Sequence, residues 1–405
     1  DLFWNGGIGT YVKASSESHA EVGDRANNMM RVNGNELRCK VIGEGGNLGL
    51  TQRGRIEAAL NGVLLNTDFI DNSAGVDTSD HEVNIKILLD DAVHSGRLSA
   101  DERNTQLAAL TDEVERLVLW DDYRQNQAIS LMEHMALRRM GSFVHLIRTM
   151  EAERLLDRQI EFLPNDAELI ERRTHKLGLT RPEFSILLSY DKIRICQQLL
   201  NSDVPEDPYL SKELQRYFPE PLREPFAKQM LQHSLRREII ATAVTNTIVN
   251  RMGASFVQRM HEDTGQGPAA VAKAFTIARE ILHARQLWSK IEAHDGKVSD
   301  AVQIEAVTAV WELIRAWTRW LLNRQDIQLD IAANVERYAA SVDRLRSLLP
   351  GVLTEVGHNS QSSAANRWHE RGLDRPLSTL LSTLPALLQA LDVIEVAYLE
   401  ISKSE

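Results

Sequence analysis

The sequence predicts an α/β segment with a parallel sheet, followed by a large and mostly α-helical domain. Glycine is concentrated early, with 13 of the 22 glycines in residues 1–96, and no proline occurs before Pro164. Short apolar runs ending in glycine alternate with helical patterns near the start of the chain, whereas the rest has long 3.6-residue periodicity. We therefore expect one domain at residues 1–95 and a helical domain at residues 96–405.

Four segments carry the α/β pattern of the first domain. Residues 37–43 form a short apolar run that ends in glycine and are predicted to be a strand, and residues 51–60 have helical spacing. Residues 64–70 are predicted to be the next strand, and residues 79–92 a buried connecting helix with apolar side chains on more than one face. The order of strand, glycine turn, helix, strand and helix is typical of a parallel sheet.

The second domain is predicted from helical periodicity that is broken by proline and glycine. Thr180 and Glu183 have the spacing of a capping box before an apolar run, and Ser299 is predicted to cap a later helix. Residues 265–268, Gly-Gln-Gly-Pro, predict a break between two helices. Three tryptophans at helical spacing are expected in the core or at a subunit interface: Trp311, Trp317 and Trp320.

Composition and charge limit the functions that are possible. The chain has 405 residues, of which 43% are hydrophobic, so it can bury a sizeable core. Its formal net charge of −11 argues against a general nucleic-acid or anionic-membrane binder. Two cysteines, Cys39 and Cys196, are too few for a disulfide framework. We expect no apolar run near the roughly 20 residues of a membrane span and no signal segment, and hence a cytoplasmic protein without nucleic-acid or membrane partners.

The densest chemical signal is segment 43–51, Gly-Glu-Gly-Gly-Asn-Leu-Gly-Leu-Thr. Glycines at the carboxyl end of a parallel strand allow a ligand to lie against the backbone. The amide of Asn47 both donates and accepts hydrogen bonds, which suits ribose hydroxyls or a carboxamide. The segment matches neither the G-x-G-x-x-G pattern nor a phosphate loop. A tight turn without a ligand explains the glycines equally well, so both interpretations stay open.

Two further clusters of small residues are open to two interpretations in the same way. Segment 72–79, Asn-Ser-Ala-Gly-Val-Asp-Thr-Ser, precedes a predicted helix, where backbone N–H groups and the Ser79 hydroxyl suit a carboxylate. Alternatively, Thr78 or Ser79 is simply the helix N-cap. Segment 4–10, Trp-Asn-Gly-Gly-Ile-Gly-Thr, follows an apolar run and is either a place for a flat ring or a plain glycine loop.

Acidic residues and histidines do not form a recognised metal pattern. Asp77, Asp80, His81 and Glu82 lie around the predicted helix start, where acids commonly interact with the helix dipole, so we predict no metal site. The spacings of catalytic zinc sites do not occur, and neither does Gly-x-Ser-x-Gly.

Taken together and in order, the three clusters resemble the nucleotide-binding domain of glutamate dehydrogenases. Residues 44–51 are similar to the family's Glu-Gly-Ala-Asn-x-x-x-Thr, and residues 72–79 to its Asn-Ala-Gly-Gly-Val-x-x-Ser. Residues 1–7 are similar to a family strand that ends in small residues. The resemblance implies that residues 1–95 are the C-terminal part of a Rossmann-like, NAD-binding catalytic domain.

The amino-acid sequences of the motifs are most similar to those of the large bacterial NAD-specific glutamate dehydrogenases. These enzymes have long N-terminal extensions and a helical C-terminal region. The similar segments are 4–15, 42–52 and 72–84, together with Leu-Arg-Arg-Met-Gly-Ser at 137–142 in the C-terminal region. Because the chain also begins at Asp1 rather than Met, we expect it to be a piece of a longer polypeptide.

The resemblance implies roles for individual residues toward NAD and toward L-glutamate or 2-oxoglutarate. Asn47 is expected to contact the nicotinamide ribose, Asn72 to lie between nicotinamide and substrate, and Ser79 to hydrogen-bond the substrate's side-chain carboxylate. The implied cofactor-binding set is Gly6, Gly7, Glu44, Gly45, Gly46, Asn47 and Asn72, and the implied substrate-binding set is Asn72, Gly75, Val76 and Ser79.

The chain departs from the family pattern in two ways. Residues 73–75 are Ser-Ala-Gly where the family has Ala-Gly-Gly, and the family's catalytic lysine, catalytic aspartate and dinucleotide glycine loop have no counterpart here. We expect these upstream of residue 1, so no catalytic residue is assigned and the chain alone is predicted to be inactive. The present residues do not distinguish NAD from NADP, because the acidic residue that reads the ribose is also expected upstream.

Two other functions stay open beside oxidative deamination of L-glutamate by a homo-oligomeric, NAD-linked enzyme. Residues 96–405 have no catalytic pattern, which is also typical of a helical oligomerisation or regulatory module that carries a residual half-Rossmann segment. A leucine- or phenylalanine-type amino-acid dehydrogenase would need an apolar residue in place of Ser79, so this serine favours glutamate.

Overall fold

The protein is described by a computed structural model that covers residues 1–324 and 326–404, with side chains as far as Glu400. It divides into two compact units, Asp1–Phe256 and Val257–Glu405. The predicted fold class is confirmed, because a small α/β segment is followed by a large helical region. The predicted domain boundary at residue 95 lies within the first unit and stays a prediction.

In the described part of the chain, four short strands form two parallel, two-stranded sheets: β1 (Leu2–Asn5), β2 (Val12–Lys13), β3 (Val32–Asn33) and β4 (Val41–Glu44). β1 pairs with β4, and β2 pairs with β3. In the first pair Leu2 lies opposite Val41 and Asn5 lies opposite Glu44. The carboxyl ends of β1 and β4 therefore meet at one edge, where the glycine segments begin.

Helices make up most of the first unit, and α6 packs against both α4 and α9. The α-helices are α1 (His19–Val22), α2 (Gln52–Leu60), α3 (Asp68–Asp71), α4 (Ala74–His94), α5 (Ala100–Ala109), α6 (Thr111–His134), α7 (Met140–Ala152), α8 (Asp166–Thr174), α9 (Arg181–Leu200), α10 (Ser211–Tyr217), α11 (Glu220–Arg223), α12 (Ala227–Met230) and α13 (Arg236–Met252). Short 3₁₀ turns occupy Arg25–Asn27, Gly34–Glu36, Val204–Glu206 and Pro208–Leu210.

The predicted helix at residues 51–60 is confirmed. Thr51 is the N-cap of α2, and its hydroxyl oxygen accepts a hydrogen bond from the backbone N–H of Gly54 at 3.0 Å. The capping box of Thr180 and Glu183 at the start of α9 is also confirmed. A small apolar core lies between α2 and the strands and contains Val12, Ile42, Leu50, Ala58, Val63 and Leu65.

Three predicted boundaries in the α/β segment are corrected. The strand predicted at 37–43 is confined to β4, which begins at Val41. The strand predicted at 64–70 is wrong, because only Leu64 in this range bridges to Val41 and α3 occupies Asp68–Asp71. The helical turn forms because the Asp68 side chain turns inward, where it accepts a hydrogen bond from the Leu48 N–H and pairs with Arg55. The helix predicted at 79–92 begins earlier, at Ala74.

The second unit consists of helices around buried aromatic side chains. Its α-helices are α14 (Phe256–Thr264, which begins at the unit boundary), α15 (Pro268–Ile281), α16 (Ala284–Glu292), α17 (Asp300–Asn323), α18 (Ile331–Val352), α19 (Glu355–Glu370), α20 (Arg375–Thr383) and α21 (Ala390–Ser404), with a 3₁₀ segment at Leu384–Gln389. Of the three tryptophans expected in the core or at a subunit interface, Trp311 and Trp317 lie in the core, where the Trp317 indole donates to the Leu387 carbonyl at 3.0 Å, and Trp320 is partly buried. The break predicted at 265–268 separates α14 from α15.

Among the described residues, one segment, Arg375–Glu400, is long and apolar enough to cross a membrane by length and composition. The expectation that no apolar run approaches such a length is therefore corrected. Half of the most apolar part of this segment is buried inside the structure, and core helices of soluble proteins meet the same criterion, so the segment is weak evidence for a membrane span.

Candidate functional site

The glycines that follow β4 allow close packing within the loop itself. The ring of Trp4 lies over Gly43 and Gly45, so that a Cβ atom at either glycine would come within 2.6 Å of a ring carbon. A Cβ atom at Gly46 would lie 2.6 Å from the carbonyl oxygen of Gly7. These three glycines thus allow the tight turn that was one of the two interpretations, because protein atoms fill the space that a side chain would need.

Three separate segments meet at the carboxyl ends of β1 and β4. The backbone N–H of Gly46 donates to the carbonyl oxygen of Asn5 at 3.0 Å, which joins the loops that follow the two strands. The side-chain amide of Asn72 donates to the side-chain oxygen of Asn47, which adds the third segment. Asn47 is exposed and Asn72 is partly buried, so both amides lie at the surface of this edge.

The start of α4 differs from the arrangement that the sequence predicted. Because the helix begins at Ala74, Ser79 lies in its second turn, and its hydroxyl donates to the carbonyl oxygen of Gly75 at 3.1 Å. Thr78 bonds to the Ala74 carbonyl in the same way, so neither residue is the N-cap. Gly75, Val76 and Ser79 are exposed. Their predicted contact with substrate stays a prediction.

The side chain of Glu44 is enclosed rather than open to a ligand. Glu44 is fully buried, and its two carboxylate oxygens accept hydrogen bonds from Arg55 at 2.6 and 2.9 Å. Burial raises the pKa of Glu44, and the bonds from Arg55 oppose that rise. The side chain of Glu44 therefore holds the loop in place, and its predicted contact with a cofactor stays a prediction.

Two carboxylates of α3 hold the same loop from the other side. Asp68 accepts a hydrogen bond from the backbone N–H of Leu48 at 2.7 Å and lies 3.3 Å from Arg55. Leu48 has a φ of 59°, in the left-handed region that non-glycine residues rarely adopt, so this bond stabilises a strained turn. Asp71 accepts from the backbone N–H of Glu44 at 3.1 Å, and burial raises the pKa of Asp71.

An apolar cleft of about 510 Å³ lies beside β1 and the glycines that follow it. The volume lies in the range of small-molecule sites. A Cβ atom at Gly7 would meet no atom closer than 4.0 Å, so this glycine leaves free space at the mouth of the cleft. The lining residues include Phe3, Trp4, Asn5, Gly6, Gly7, Tyr11, Val12, Met30, Val32 and Leu37. Because most of these lining residues are apolar, the cleft suits a flat and uncharged ring.

A cluster of ionisable groups lies on the other side of the start of α4. Burial, followed by repulsion from Asp121, Asp122 and Asp80, raises the pKa of Asp77 to about 7. Burial lowers the pKa of His81. Burial also lowers the pKa of Lys192, on α9, to about 8. Strongly shifted pKa values of this kind are frequent at functional sites.

Sequence reasoning missed the residues that hold the glycine loop. Arg55 and Asp68 lie in segments that were expected to be an ordinary helix and an apolar strand, and Asp71 directly follows that predicted strand. Their charge was the available signal, because a buried charge in an otherwise apolar segment needs a partner nearby. Asp121 was missed because it lies 44 positions after Asp77 and comes near it only through the packing of α4 on α6.

Comparisons with known proteins decide the family. The family model described as the C-terminal part of glutamate dehydrogenase matches residues 176–403. The chain belongs to the glutamate dehydrogenase family. A second family model, the catalytic domain of bacterial NAD-glutamate dehydrogenase, matches residues 1–132, and these residues contain all three clusters of small residues, at 4–10, 43–51 and 72–79.

Individual relatives agree with the family models. The NAD-specific glutamate dehydrogenase of Halomonas elongata is 44% identical over 397 residues, which are 98% of this chain and 25% of the relative. The enzymes of that name from Pseudomonas aeruginosa and Mycobacterium tuberculosis are 44% and 39% identical and are covered over 24% of their length. The chain thus spans about a quarter of the curated glutamate dehydrogenases that it matches.

Proposed function

We propose that this chain is part of an NAD-linked glutamate dehydrogenase, which oxidatively deaminates L-glutamate to 2-oxoglutarate and ammonia with formation of NADH. The observation that carries the proposal is the meeting of Gly7, Gly46, Asn47 and Asn72 at the carboxyl ends of two parallel strands. In open α/β sheets ligands bind at this edge. Membership of the family and the names of the relatives support the same reaction.

The residues at this edge fit the nicotinamide end of NAD. The apolar cleft next to Gly6 and Gly7 has room for a flat ring, and the exposed Asn47 amide can exchange hydrogen bonds with ribose hydroxyls. NAD, when bound, supplies the hydride acceptor. In the proposal, Gly6, Gly7 and Asn47 orient the ring, while Gly45 and Gly46 shape the loop.

The substrate is proposed to lie between Asn72 and the first two turns of α4. The side-chain amide of Asn72 is hydrogen-bonded to that of Asn47. This pair of amides therefore lies next to both the proposed cofactor site and the proposed substrate site. The exposed Ser79 hydroxyl, with Gly75 and Val76, offers a neutral donor near a helix start for the side-chain carboxylate of glutamate. The hydroxyl must turn away from the Gly75 carbonyl to make that bond.

We further propose that the protein is cytoplasmic and homo-oligomeric, without nucleic-acid partners. The reaction uses the nicotinamide pool inside the cell, which supports the location, and the net charge of −11 disfavours contact with nucleic-acid phosphates. Val352 and Val356 are each more than half exposed around the junction of α18 and α19, which supports contacts between subunits.

Steady-state kinetics of the longer polypeptide that contains this chain test the proposal. Ser79→Ala is expected to raise the KM for glutamate, and Thr105→Ala, on the exposed surface of α5, serves as the control. Glutamate is expected to be preferred over leucine, since a serine donor suits a carboxylate. An unchanged KM for glutamate would reject the role of Ser79, and absence of glutamate-dependent NADH formation would reject the function.

A further inference from the structure

A second polar cluster lies on the other side of α4 from the residues proposed to bind glutamate. Asp77 and His81 lie one turn apart on α4, and Asp121 comes to the same place from α6. One ligand atom of each of the three side chains lies within 4.8 Å of the other two. The Asp77 Oδ1 atom is 4.0 Å from the His81 Nε2 atom.

Two groups in the cluster lack the hydrogen bonds that buried polar groups normally make. His81 is only 2% exposed, its Nδ1 atom has no partner among the described residues, and its Nε2 atom has only the 4.0 Å approach to Asp77. Its ring stacks on Tyr217, with the ring centroids 4.5 Å apart. The Asp77 Oδ2 atom is also enclosed and without a partner in the described part of the chain. More than nine-tenths of buried polar groups are partnered, so these atoms indicate a ligand.

The neighbouring carboxylates are already engaged. Asp80 accepts a hydrogen bond from the Tyr217 hydroxyl at 2.7 Å, and Asp122 accepts one from Ser73. Asp77 is thus left as the carboxylate whose enclosed oxygen still needs a positive partner.

The nearby cations do not neutralise the cluster. Arg124 lies 3.4 Å from one oxygen of Asp121. The Lys192 ammonium donates to the Gln125 side chain at 3.1 Å, and within the described residues it makes no ion pair within 4.0 Å. Four aspartates therefore face two cations, which leaves an excess of two negative charges if all of them are ionised.

We propose that Asp77, His81 and Asp121 bind one divalent transition-metal ion, which joins α4 to α6. One imidazole and two carboxylates form a ligand set that Zn²⁺ accepts, with water completing the coordination. In zinc sites the nitrogen and oxygen ligand atoms lie about 2.0–2.2 Å from the metal. The ligand atoms of the three side chains must therefore move about 1 Å closer to one another when the ion binds. The partly exposed side chain of Asp121 has the freedom to do so.

This proposal replaces the expectation of no metal site that the sequence favoured. That expectation placed Asp77 and His81 around a helix start, as partners of the helix dipole. With the helix beginning at Ala74, His81 lies in the buried face of α4 toward α6. The proposal does not depend on the dehydrogenase assignment.

Calorimetric titration of the chelator-treated 405-residue chain with Zn²⁺ tests the site. We expect the wild-type chain to bind one more Zn²⁺ ion than Asp121→Asn and His81→Gln, or to bind that ion at least about tenfold more tightly. His94→Gln is the matched control, because His94 lies about 20 Å further along the same helix and, among the residues that the structure describes, bonds to the Asp90 carbonyl alone. It is expected to bind as the wild type does.

Two results would overturn the proposal: a wild-type chain that binds no Zn²⁺, or an Asp121→Asn variant that binds Zn²⁺ with wild-type number and affinity. Circular dichroism shows whether each variant is folded. If His81→Gln fails to fold because the stack on Tyr217 is lost, Asp121→Asn decides, since this side chain is partly exposed.

Discussion

The carboxylate of Glu44 and the guanidinium of Arg55 form two parallel hydrogen bonds, at 2.6 and 2.9 Å, where Glu44 has no exposed surface. The pair ties the last residue of β4 to α2 and so fixes both ends of the loop between them. Bidentate pairs between Arg and a carboxylate are among the stronger hydrogen-bonded contacts in proteins. The loop that carries Asn47 is therefore held by charge as well as by packing.

Removal of the Arg55 charge is expected to destabilise the first unit. Arg55→Met leaves Glu44 buried without its cation, next to Asp68 and Asp71, so the free energy of unfolding should fall by about 3–5 kcal/mol. Urea denaturation of the chain measures this change.

The exposed ion pair of Glu82 and Lys86 on α4 provides the control. Lys86→Ala is expected to change the free energy of unfolding by less than about 1 kcal/mol, since solvent screens exposed pairs. Equal losses for Arg55→Met and Lys86→Ala would show that the buried pair does not hold the loop.

Substitution of Gly46 is expected to disturb the contact between the two loops. In Gly46→Ala the new Cβ atom would lie 2.6 Å from the Gly7 carbonyl oxygen, so the backbone must shift, and the expected loss of stability is about 1–3 kcal/mol. Gly75→Ala is the matched control, because a Cβ atom there meets open space in a helix and should stabilise by up to about 1 kcal/mol. A Gly46→Ala chain as stable as the wild type would contradict the close approach.

The sequence predicted the parts of this fold that depend on local pattern. The helix at residues 51–60 and the capping box of Thr180 at the start of α9 were predicted correctly because helical spacing and capping depend on residues within a few helical turns. The glycine loop was located correctly for the same reason. The position of Trp4, whose ring lies over Gly43 and Gly45, accounts for the tight turn, while contact of this loop with a ligand stays a prediction.

Long-range contacts explain what the sequence did not predict. The segment 64–70 has the apolar composition of a strand, yet Asp68 is drawn inward by Arg55 and the Leu48 N–H, and a helical turn forms instead. Similarly, α4 starts five residues before Ser79, so the proposed substrate serine lies within the helix rather than at its cap. No local pattern reveals such partners.

The buried Asp191 predicts a pH dependence of stability. Burial raises its pKa to about 7, from 3.8 for an unburied aspartate. Between these values the folded chain holds a proton that the unfolded chain has released, so the Asp191 contribution favours folding at low pH and is lost as the pH rises toward 7. The Asp191→Asn side chain cannot ionise. Between pH 5 and pH 7.5 the free energy of unfolding of this variant is therefore expected to fall by roughly 2 kcal/mol less than that of the wild type.

Thermal or urea unfolding at a series of pH values checks this difference. Asp112→Asn, at an exposed position in the first turn of α6, should follow the wild-type profile. If Asp191→Asn and the wild type change in parallel over this range, Asp191 is ionised in the folded chain throughout.

The central claim is that Asn47 and Asn72 meet at one strand edge in order to hold nicotinamide and substrate together. The most direct measurement is kcat/KM for glutamate with NAD, for the longer polypeptide that contains this chain, in Asn72→Ala and in the exposed control Asn61→Ala. The account predicts that Asn72→Ala loses activity by about a hundredfold, as expected when a positioning contact at the reacting groups is removed, while it unfolds like the wild type and Asn61→Ala stays near wild-type activity. Wild-type kcat/KM in Asn72→Ala would contradict the claim.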